Sequence, residues 1–287
     1  MEPLLLRPHL AERVWGGSRL GKGIGEAWDL SVHAHGGSTI AAGPWAGRPL
    51  AEAVAAHPEA FGGPIDLLAK RLDCAQTLSV QVHPKAGEPK TEAWVVLEAE
   101  RGAGVYHGFS RPVTADEVRR AALDGTLPGL LRFLEVRRGV AVYVPSGTAH
   151  AIGAGLFLFE IQQSSDTTYR LFDWGRPREL HLDRGLASCD LAAREAIPVP
   201  RHLPGQRVRL VECEHFHVDR VETSAPAGID PGARWKALLV VEGAGDLDGV
   251  PARAGETLLL PAAAGKRTFR PSAPATLLAY GPGYGAR

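Results

Sequence analysis

The 287-residue sequence predicts a mainly β protein made of two β-barrel domains with a small helical insertion. Short runs rich in β-branched and aromatic residues are punctuated along the chain by 34 Gly and 22 Pro, which is typical of short strands joined by turns. Helical periodicity occurs in only a few places. A proline-rich segment at 197–206, IPVPRHLPGQ, separates two strand-rich regions and predicts a domain boundary.

The elements follow from local patterns. Helical periodicity is predicted at 50–57, 114–123 and 183–195, and Thr114 with Glu117 three residues later has the pattern of a capping box. Strands are predicted at 77–82, 93–97, 141–144, 156–162 and 169–172, and then at 216–221, 235–241, 256–260 and 276–280. We therefore expect a first domain at 1–196, with the helical insertion at about 111–134, and a second barrel at 205–287.

Composition excludes several classes of function. The formal net charge is +0, so no basic surface for nucleic acid or an anionic membrane is indicated. Apolar runs are shorter than the roughly 20 residues needed to span a bilayer, and the N-terminal MEPLLLRPHL does not resemble a signal peptide. The 3 Cys are scattered, which favours a reduced, cytoplasmic protein.

Four side chains from three segments could close around one divalent metal. Gln81 and His83 lie two apart on a predicted strand and share a face, Glu92 opens the next strand, and His150 follows the turn PSGTAH. Two imidazoles and a carboxylate suit Zn²⁺ and leave a position for water or substrate. Gln81 is either a fourth ligand or a neighbour that supports the ligands. The second barrel contains no counterpart of this set.

Charged and polar residues accompany the metal segments. Alternation along LFLFEIQQ directs Glu160 to one face of its strand, either as a general base or as an ion-pair partner of Arg170 or Lys90. Arg170 would stabilise developing negative charge. Lys90, two residues before Glu92, would bind phosphate, assist proton transfer or lie at the rim, and Ser79 shares a face with Gln81.

At these residues the sequence resembles the cupins and, more narrowly, the type I mannose-6-phosphate isomerase family in its short bacterial form. Gly139, Pro145, Gly147 and His150 match the second cupin motif, although Ala154 replaces the usual asparagine. The first cupin motif is altered, with QVH in place of H-x-H, as in the isomerase family. Further similarity lies in WGG, GEAWDLS, LLAKRLDCAQTLSVQVHP, KTEAW and FEIQQSSDTTYRLFDWGR, whereas the C-terminal barrel matches only by general pattern.

The resemblance implies two cupin-like jelly-roll barrels and an aldose-ketose isomerase for D-mannose 6-phosphate and D-fructose 6-phosphate, acting through a cis-enediol. It implies one Zn²⁺ per chain held by Gln81, His83, Glu92 and His150. Catalytic roles would fall to Arg170, Glu160 and Lys90. Ser79, Lys70, Trp15 and Glu26 would bind the substrate. The partner is a small sugar phosphate, and the chain is expected to be a monomer or a weak homodimer.

Two other functions remain open at this point. One is a cupin isomerase for another sugar phosphate, such as glucose 6-phosphate, which only substrate profiling separates from the first. The other is a sugar-binding or regulatory cupin without catalysis, which would show affinity without turnover. A dioxygenase fits less well, because Glu and Gln beside two His resemble the isomerase pattern more closely.

Overall fold

A computed structural model describes residues 1–193 and 200–283 of the chain. In the first range the strands are β1 Leu4–Arg7, β2 His9–Glu12, β3 Ile24–Leu30, β4 Val32–His33, β5 Gly36–Gly37, β6 Thr39–Ile40, β7 Leu67–Cys74, β8 Val80–Val82, β9 Glu92–Ala99, β10 Gly104–Phe109, β11 Leu131–Glu135, β12 Ala141–Val144, β13 His150–Ile152, β14 Leu156–Gln163 and β15 Tyr169–Phe172.

The second range adds ten strands, and the two described ranges together contain four α-helices. The strands are β16 Arg201–Leu203, β17 Arg207–Glu212, β18 Phe216–Thr223, β19 Ala227–Ile229, β20 Lys236–Glu242, β21 Ala244–Leu247, β22 Val250–Arg253, β23 Thr257–Leu260, β24 Arg267–Pro271 and β25 Ala275–Pro282. The helices are α1 Leu50–Ala56, α2 Pro58–Phe61, α3 Ala115–Asp124 and α4 Leu182–Ser188, with single 3₁₀ turns at Leu127–Leu130 and Ala262–Ala264. The mainly β fold class is confirmed.

Contacts divide the described residues into two compact units. One contains Leu10–Ala27 and the described residues between 71 and 197, and we call it the central unit. The other contains Met1–His9, Trp28–Lys70 and the described residues from 200 onward, and we call it the terminal unit. The expected division at 1–196 and 205–287 stays a prediction. Part of the predicted boundary, 197–199, lies outside the described residues.

Two antiparallel sheets share one core in the central unit. The first has the strand order β11-β10-β13-β8-β15, and the second has the order β12-β9-β14-β7-β3-β2. The buried core takes Trp94 and Val96 from β9, Val105 from β10 and Ile152 from β13, so side chains of both sheets meet in it. Successive residues of a strand face opposite sides of the sheet. The direction of each polar side chain in these strands therefore follows from whether its neighbours lie in this core.

The helical insertion and helix α4 cover the other face of the five-stranded sheet. Val118 and Ala121 of α3 and Leu186 of α4 pack with Val80, Val82, Ala149, Ala151 and Leu171 of that sheet. Helix α3 begins as predicted, because the Thr114 hydroxyl accepts a hydrogen bond from the Glu117 amide at 3.2 Å. It ends at Gly125, whose φ of 84° is the left-handed conformation that favours glycine.

The terminal unit holds its own core. Its eight-stranded sheet has the order β16-β17-β18-β25-β20-β23-β1-β6, and its four-stranded sheet has the order β19-β24-β21-β22. Leu238, Val240 and Leu258 of the larger sheet pack with Leu247 and Phe269 of the smaller one. Within residues 200–283 we find no His, Cys, Asp or Glu group that converges like the set in the central unit.

Most predicted strands are observed with small changes in their ends. The strand predicted at 141–144 is reproduced as β12 and the one at 169–172 as β15, whereas the strand predicted from 77 begins only at Val80. The helix predicted at 183–195 ends at Ser188, and 194–195 lie outside the described residues. Within 1–193 and 200–283, none of the helices has the length and apolar character needed to cross a membrane.

Candidate active site

The five-stranded sheet directs Gln81, His150 and Arg170 to the side opposite the helices. His150 on β13 and Arg170 on β15 are both register partners of Gln81 on β8. The residues that flank these positions, Val80, Val82, Ala149, Ala151 and Leu171, pack against the helical insertion. Alternation along each strand therefore points the three polar side chains away from the helices.

The turn before His150 ties the ligand segments together. Gly147 has a φ of 88°, and its amide donates a hydrogen bond to the His83 carbonyl at 2.9 Å. The Ser146 hydroxyl accepts from the Lys90 amide at 3.0 Å. Gly is favoured at this position because other residues are strained at positive φ. One tight turn thus fixes the backbone around His83 and just before Glu92.

Three buried side chains bring their ligand atoms together. His83, Glu92 and His150 are each 1% exposed, and their ligand atoms all lie within 4.8 Å of one another. His83 Nε2 lies 3.3 Å from Glu92 Oε2, and His150 Nε2 lies 3.3 Å from Glu92 Oε1. The imidazole ring centroids are 4.9 Å apart. Two nitrogens and a carboxylate therefore converge on one point.

Backbone carbonyls fix the tautomer of both imidazoles. His83 Nδ1 is 2.9 Å from the Thr167 carbonyl, and His150 Nδ1 is 2.8 Å from the Thr148 carbonyl. A carbonyl only accepts, so each Nδ1 carries a proton and each neutral Nε2 presents a lone pair. Burial lowers the pKa of His150 to about 3 and also lowers the pKa of His83, where the Lys90 ammonium adds to the effect. Both rings are therefore neutral near pH 7.

Glu92 is ionised and is paired with Lys90. Burial by itself would raise the pKa of Glu92, but the Lys90 ammonium and the two imidazoles hold it well below its ordinary value. Lys90 Nζ lies 2.9 Å from Glu92 Oε2 and 3.3 Å from His83 Nε2. Burial alone would lower the pKa of Lys90, yet the charges of Glu92 and Glu160 leave it raised. The buried pair thus carries both charges.

This donor set fits a zinc ion. Lys90 lies to one side at Glu92 Oε2 and His83 Nε2, and the His150 lone pair also faces the carboxylate, so the set offers two neutral nitrogens and one anionic oxygen donor to a divalent cation. Neither Glu92 oxygen accepts a well-aligned hydrogen bond from the described residues. Two imidazole nitrogens and a carboxylate whose ligand atoms all lie within 4.8 Å of one another are the donor types that would hold one Zn²⁺. The carbonyls of Thr167 and Thr148 also orient the imidazoles, as is usual for metal-ligating His.

Gln81 and Ser79 border this set. The Gln81 amide nitrogen lies 3.3 Å from His150 Nε2, and the Ser79 hydroxyl donates to Gln81 Oε1 at 3.3 Å. A half-turn of the amide would direct Oε1 towards the ligand atoms instead. Gln81 is therefore close enough to serve as a fourth ligand, and this role stays a prediction. Ser79 contacts Gln81, and its role in binding substrate is likewise a prediction.

Glu160 lies on the same sheet face as Glu92. On β14 it is the register partner of Trp94, and Gln162 is the register partner of Glu92. The Glu160 side chain is buried, and its Oε2 accepts a hydrogen bond from Trp94 Nε1 at 3.0 Å. Its charge is close enough to raise the pKa of Lys90. The carboxylate expected as the base thus lies within electrostatic range of Lys90.

Arg170 is partly buried and keeps one donor free among the described residues. Its Nη1 donates to the Glu179 carbonyl at 2.8 Å, while its buried Nε has no hydrogen-bond partner in residues 1–193 and 200–283. Burial and the neighbouring Arg178 lower the pKa of Arg170. A guanidinium that already donates to a carbonyl and still has a donor left can donate to an anionic oxygen.

The remaining residues predicted to bind substrate each have a contact outside the ligand set. Trp15 is packed in the core of the central unit. Glu26 accepts from Arg13 Nη2 at 2.8 Å and is close enough to raise the pKa of Lys90. Lys70 belongs to the terminal unit, where its Nζ lies 5.0 Å from the Trp28 ring centroid. The substrate contacts of all three stay predictions.

Two residues at this site have no role in the sequence-based account. Trp94 donates to Glu160 and stacks edge-on against His150, with ring centroids 5.5 Å apart. Gln162 is fully buried, and its amide nitrogen donates to the carbonyls of Gln163 and Ser165. The alternation of side chains along a strand predicts both positions, because Trp94 is two residues after Glu92 and Gln162 is two residues after Glu160.

Comparison with known proteins shows similarity over nearly the whole chain. Residues 6–101 match the family described as phosphomannose isomerase type I, catalytic domain. A mannose-6-phosphate isomerase of Streptococcus mutans is 35% identical, with 91% of this chain and 92% of the relative covered. A mannose-6-phosphate isomerase of Bacillus subtilis is 33% identical, with 91% of this chain and 93% of the relative covered.

Solved structures agree with these sequence matches. A crystal structure of the mannose 6-phosphate isomerase from Bacillus subtilis superposes with a TM-score of 0.90 at 30% identity and covers 98% of this chain and 100% of that one. A mannose 6-phosphate isomerase bound with zinc and yttrium superposes with a TM-score of 0.79 at 16% identity and covers 99% of this chain and 100% of that one. The second likeness shows the fold alone.

Proposed function

The chain belongs to the type I phosphomannose isomerase family, and on this premise we propose that it interconverts D-mannose 6-phosphate and D-fructose 6-phosphate through a cis-enediol. The observation that supports this most is the buried convergence of His83, Glu92 and His150, with Glu160 and Lys90 next to it. A non-catalytic sugar-binding protein would not need a buried carboxylate beside a buried metal-ligand set. The other sugar phosphates remain alternatives that substrate profiling tests.

One Zn²⁺ per chain would be held by His83, Glu92 and His150, with Gln81 as a fourth ligand. When bound, this dication supplies a positive field that polarises the substrate oxygens and lowers the cost of the negative charge that develops on them. The carbonyls of Thr148 and Thr167, which accept from the Nδ1 atoms, keep both imidazoles in the tautomer that binds a metal.

The isomerisation needs a base, and Glu160 is the candidate. In the open-chain aldose, Glu160 would take the proton from C2 while O1 gains a proton, which gives the enediol. Loss of the O2 proton and return of a proton to C1 then give the ketose. A buried carboxylate held by Trp94 Nε1 at 3.0 Å is fixed in orientation, which favours proton transfer in one geometry.

Two cations would stabilise the anionic substrate. Lys90 is buried and protonated, so its ammonium can attract a negatively charged oxygen near Glu160. Arg170 has a buried Nε without a partner among the described residues and can donate to the sugar phosphate. Ser79, Lys70, Trp15 and Glu26 would complete the substrate contacts. We also propose a cytoplasmic protein, monomeric or weakly dimeric, with no nucleic-acid or membrane partner.

Substitution of Glu160 by Gln tests the assignment of the base. The amide is nearly isosteric but cannot take a proton from carbon, so Glu160→Gln should abolish turnover in a coupled assay of fructose 6-phosphate formation. Its zinc content, measured by elemental analysis, should remain that of the wild type. A near-normal kcat would refute the role of Glu160, whereas loss of zinc would mean that the substitution disturbs the metal site.

A further inference from the structure

We propose that Trp94 is a positioning residue that fixes the Glu160 carboxylate relative to the metal-ligand set. This inference rests on the proposed function, because it assumes that Glu160 is the base. Trp94 is fully buried on β9, two residues after Glu92 and on the same face. It is the register partner of Glu160 across the β9–β14 pair, so the two side chains lie next to each other.

Trp94 contacts both halves of the proposed machinery. Its Nε1 donates to Glu160 Oε2 at 3.0 Å, and its ring meets the His150 ring edge-on, with an interplanar angle of 65° and centroids 5.5 Å apart. An indole nitrogen is a donor only. The bond therefore requires an acceptor oxygen and favours the ionised form of Glu160 over the protonated form.

Packing prevents the indole from moving independently. The Trp94 ring belongs to a core cluster with Trp15, Leu72 and Val105. An indole side chain has few rotamers available in a packed interior. The Glu160 carboxylate is hydrogen-bonded to this ring and is therefore held in one position. One rigid side chain thus sets the distance between the proposed base and the His150 imidazole.

The substitution Trp94→Phe removes the donor and keeps an aromatic ring. We expect kcat to fall about tenfold or more, because hydrogen bonds to charged groups are the stronger ones, with a smaller change in KM. The acid limb of kcat/KM should move to higher pH, since the ionised carboxylate loses a donor. Lys90 and Cys74, which both interact electrostatically with Glu160, remain in place, as does Glu26 near each of them.

The chain supplies a matched control in Trp235. This indole is also buried, and its Nε1 donates to the Pro64 carbonyl at 2.9 Å within the terminal unit. Trp235→Phe therefore loses the same kind of buried hydrogen bond without affecting a carboxylate. It should lower the stability by a similar amount and leave kcat and the acid limb unchanged. An equal loss of kcat in both variants would mean that the effect of Trp94→Phe is structural.

A second measurement does not depend on the folding of Trp94→Phe. The chain has 6 Trp, and each contributes one indole signal to a ¹H–¹⁵N spectrum. In Glu160→Gln, one indole signal should move strongly, because its acceptor changes from a carboxylate to an amide. If no indole signal moves, the hydrogen bond is absent and the inference is wrong.

These experiments separate the inference from the proposed function. Near-normal turnover by Glu160→Gln would refute the base assignment and the inference together. An inactive Glu160→Gln with a Trp94→Phe variant of wild-type kcat and wild-type acid limb would refute the role of Trp94 alone. A lowered kcat, a shifted acid limb and an unchanged zinc content in Trp94→Phe support it.

Discussion

Replacing Glu92 by Gln should destabilise the metal-free protein, because it leaves the Lys90 ammonium buried without its counter-ion. The two side chains are 7% and 1% exposed, and Lys90 Nζ is 2.9 Å from Glu92 Oε2. At an effective dielectric constant of about 20, two unit charges at this distance attract each other by about 6 kcal/mol. The substitution removes this attraction and leaves the desolvation cost of Lys90 unchanged.

Lys90 can limit the loss by giving up its proton. With an ordinary lysine pKa of about 10.4, neutralising the side chain at pH 7 costs at most about 5 kcal/mol. Breaking a buried ion pair by removing one partner typically costs about 3–5 kcal/mol. Glu160 remains close enough to attract the ammonium, so we expect a loss near the lower end, at about 3 kcal/mol.

Urea unfolding in the presence of a chelator measures this quantity. The wild type, Glu92→Gln, Lys90→Met and the double variant form a thermodynamic cycle. The double variant should be more stable than Glu92→Gln, because it no longer buries an unpaired charge. Added Zn²⁺ at about 100 times its dissociation constant should stabilise the wild type by about 2.7 kcal/mol and stabilise both Glu92 variants much less.

A small effect would contradict this reasoning. A difference of less than about 1 kcal/mol between the free energies of unfolding of metal-free Glu92→Gln and of the wild type would lie below the usual cost of breaking a buried ion pair. That result would mean that Lys90 is not a buried counter-ion of Glu92. If the four proteins show additive changes, the two side chains do not interact in the metal-free state. If Glu92→Gln gains as much stability from Zn²⁺ as the wild type, Glu92 is not a ligand.

Three further predictions concern pH, substrate binding and the helical insertion. The pKa of His150 is about 3 in the folded metal-free protein and about 6.5 in the unfolded chain, so the unfolded chain binds the proton first as pH falls. The free energy of unfolding should therefore rise with pH between about 3 and 6.5. Protonation of His150 in the unfolded chain should make this free energy about 2 kcal/mol lower at pH 5 than at pH 8. Urea unfolding across pH with a chelator should show a flatter slope for His150→Asn, and an unchanged slope would contradict the assignment. Arg170→Lys keeps the charge but loses the planar donor set, so kcat/KM for mannose 6-phosphate should fall at least about tenfold at unchanged zinc content; equal kcat/KM would exclude a direct contact. Thr114→Ala removes the hydroxyl that accepts from the Glu117 amide and should cost about 1 kcal/mol of unfolding free energy without changing kcat, whereas a change in kcat would link the insertion to catalysis.

The sequence predicted that His83, Glu92 and His150 lie together, and the structure brings them together, whereas their role as metal ligands stays a prediction. Short-range rules gave part of this. Gln81 and His83 are two apart on an extended segment, and the PSGTAH turn contains the glycine that its φ of 88° favours. The facing of Glu160 also followed from alternation along β14. Strand alternation and the preference for Gly at positive φ concern only a few neighbouring residues, so they can be applied without knowledge of the surrounding fold.

Other features depend on partners that are distant in sequence. The bond from Trp94 to Glu160 joins residues 66 positions apart, and it follows from the β9–β14 register, which the sequence does not specify. The grouping of Met1–His9 and Trp28–Lys70 with the described residues from 200 onward likewise depends on non-local strand pairing. Lys70 was expected in the substrate pocket from a motif alone, and its neighbour Trp28 could not be inferred from local pattern.

The most direct test of the account is a coupled assay of mannose 6-phosphate conversion before and after chelation, with Zn²⁺ added back. The account predicts turnover that the chelator removes, that zinc restores, and that tracks one zinc per chain. Full turnover in a protein shown by elemental analysis to be free of metal would contradict the central claim. No turnover in a folded, zinc-loaded sample would contradict the proposed substrate, and the same assay with other sugar phosphates would follow.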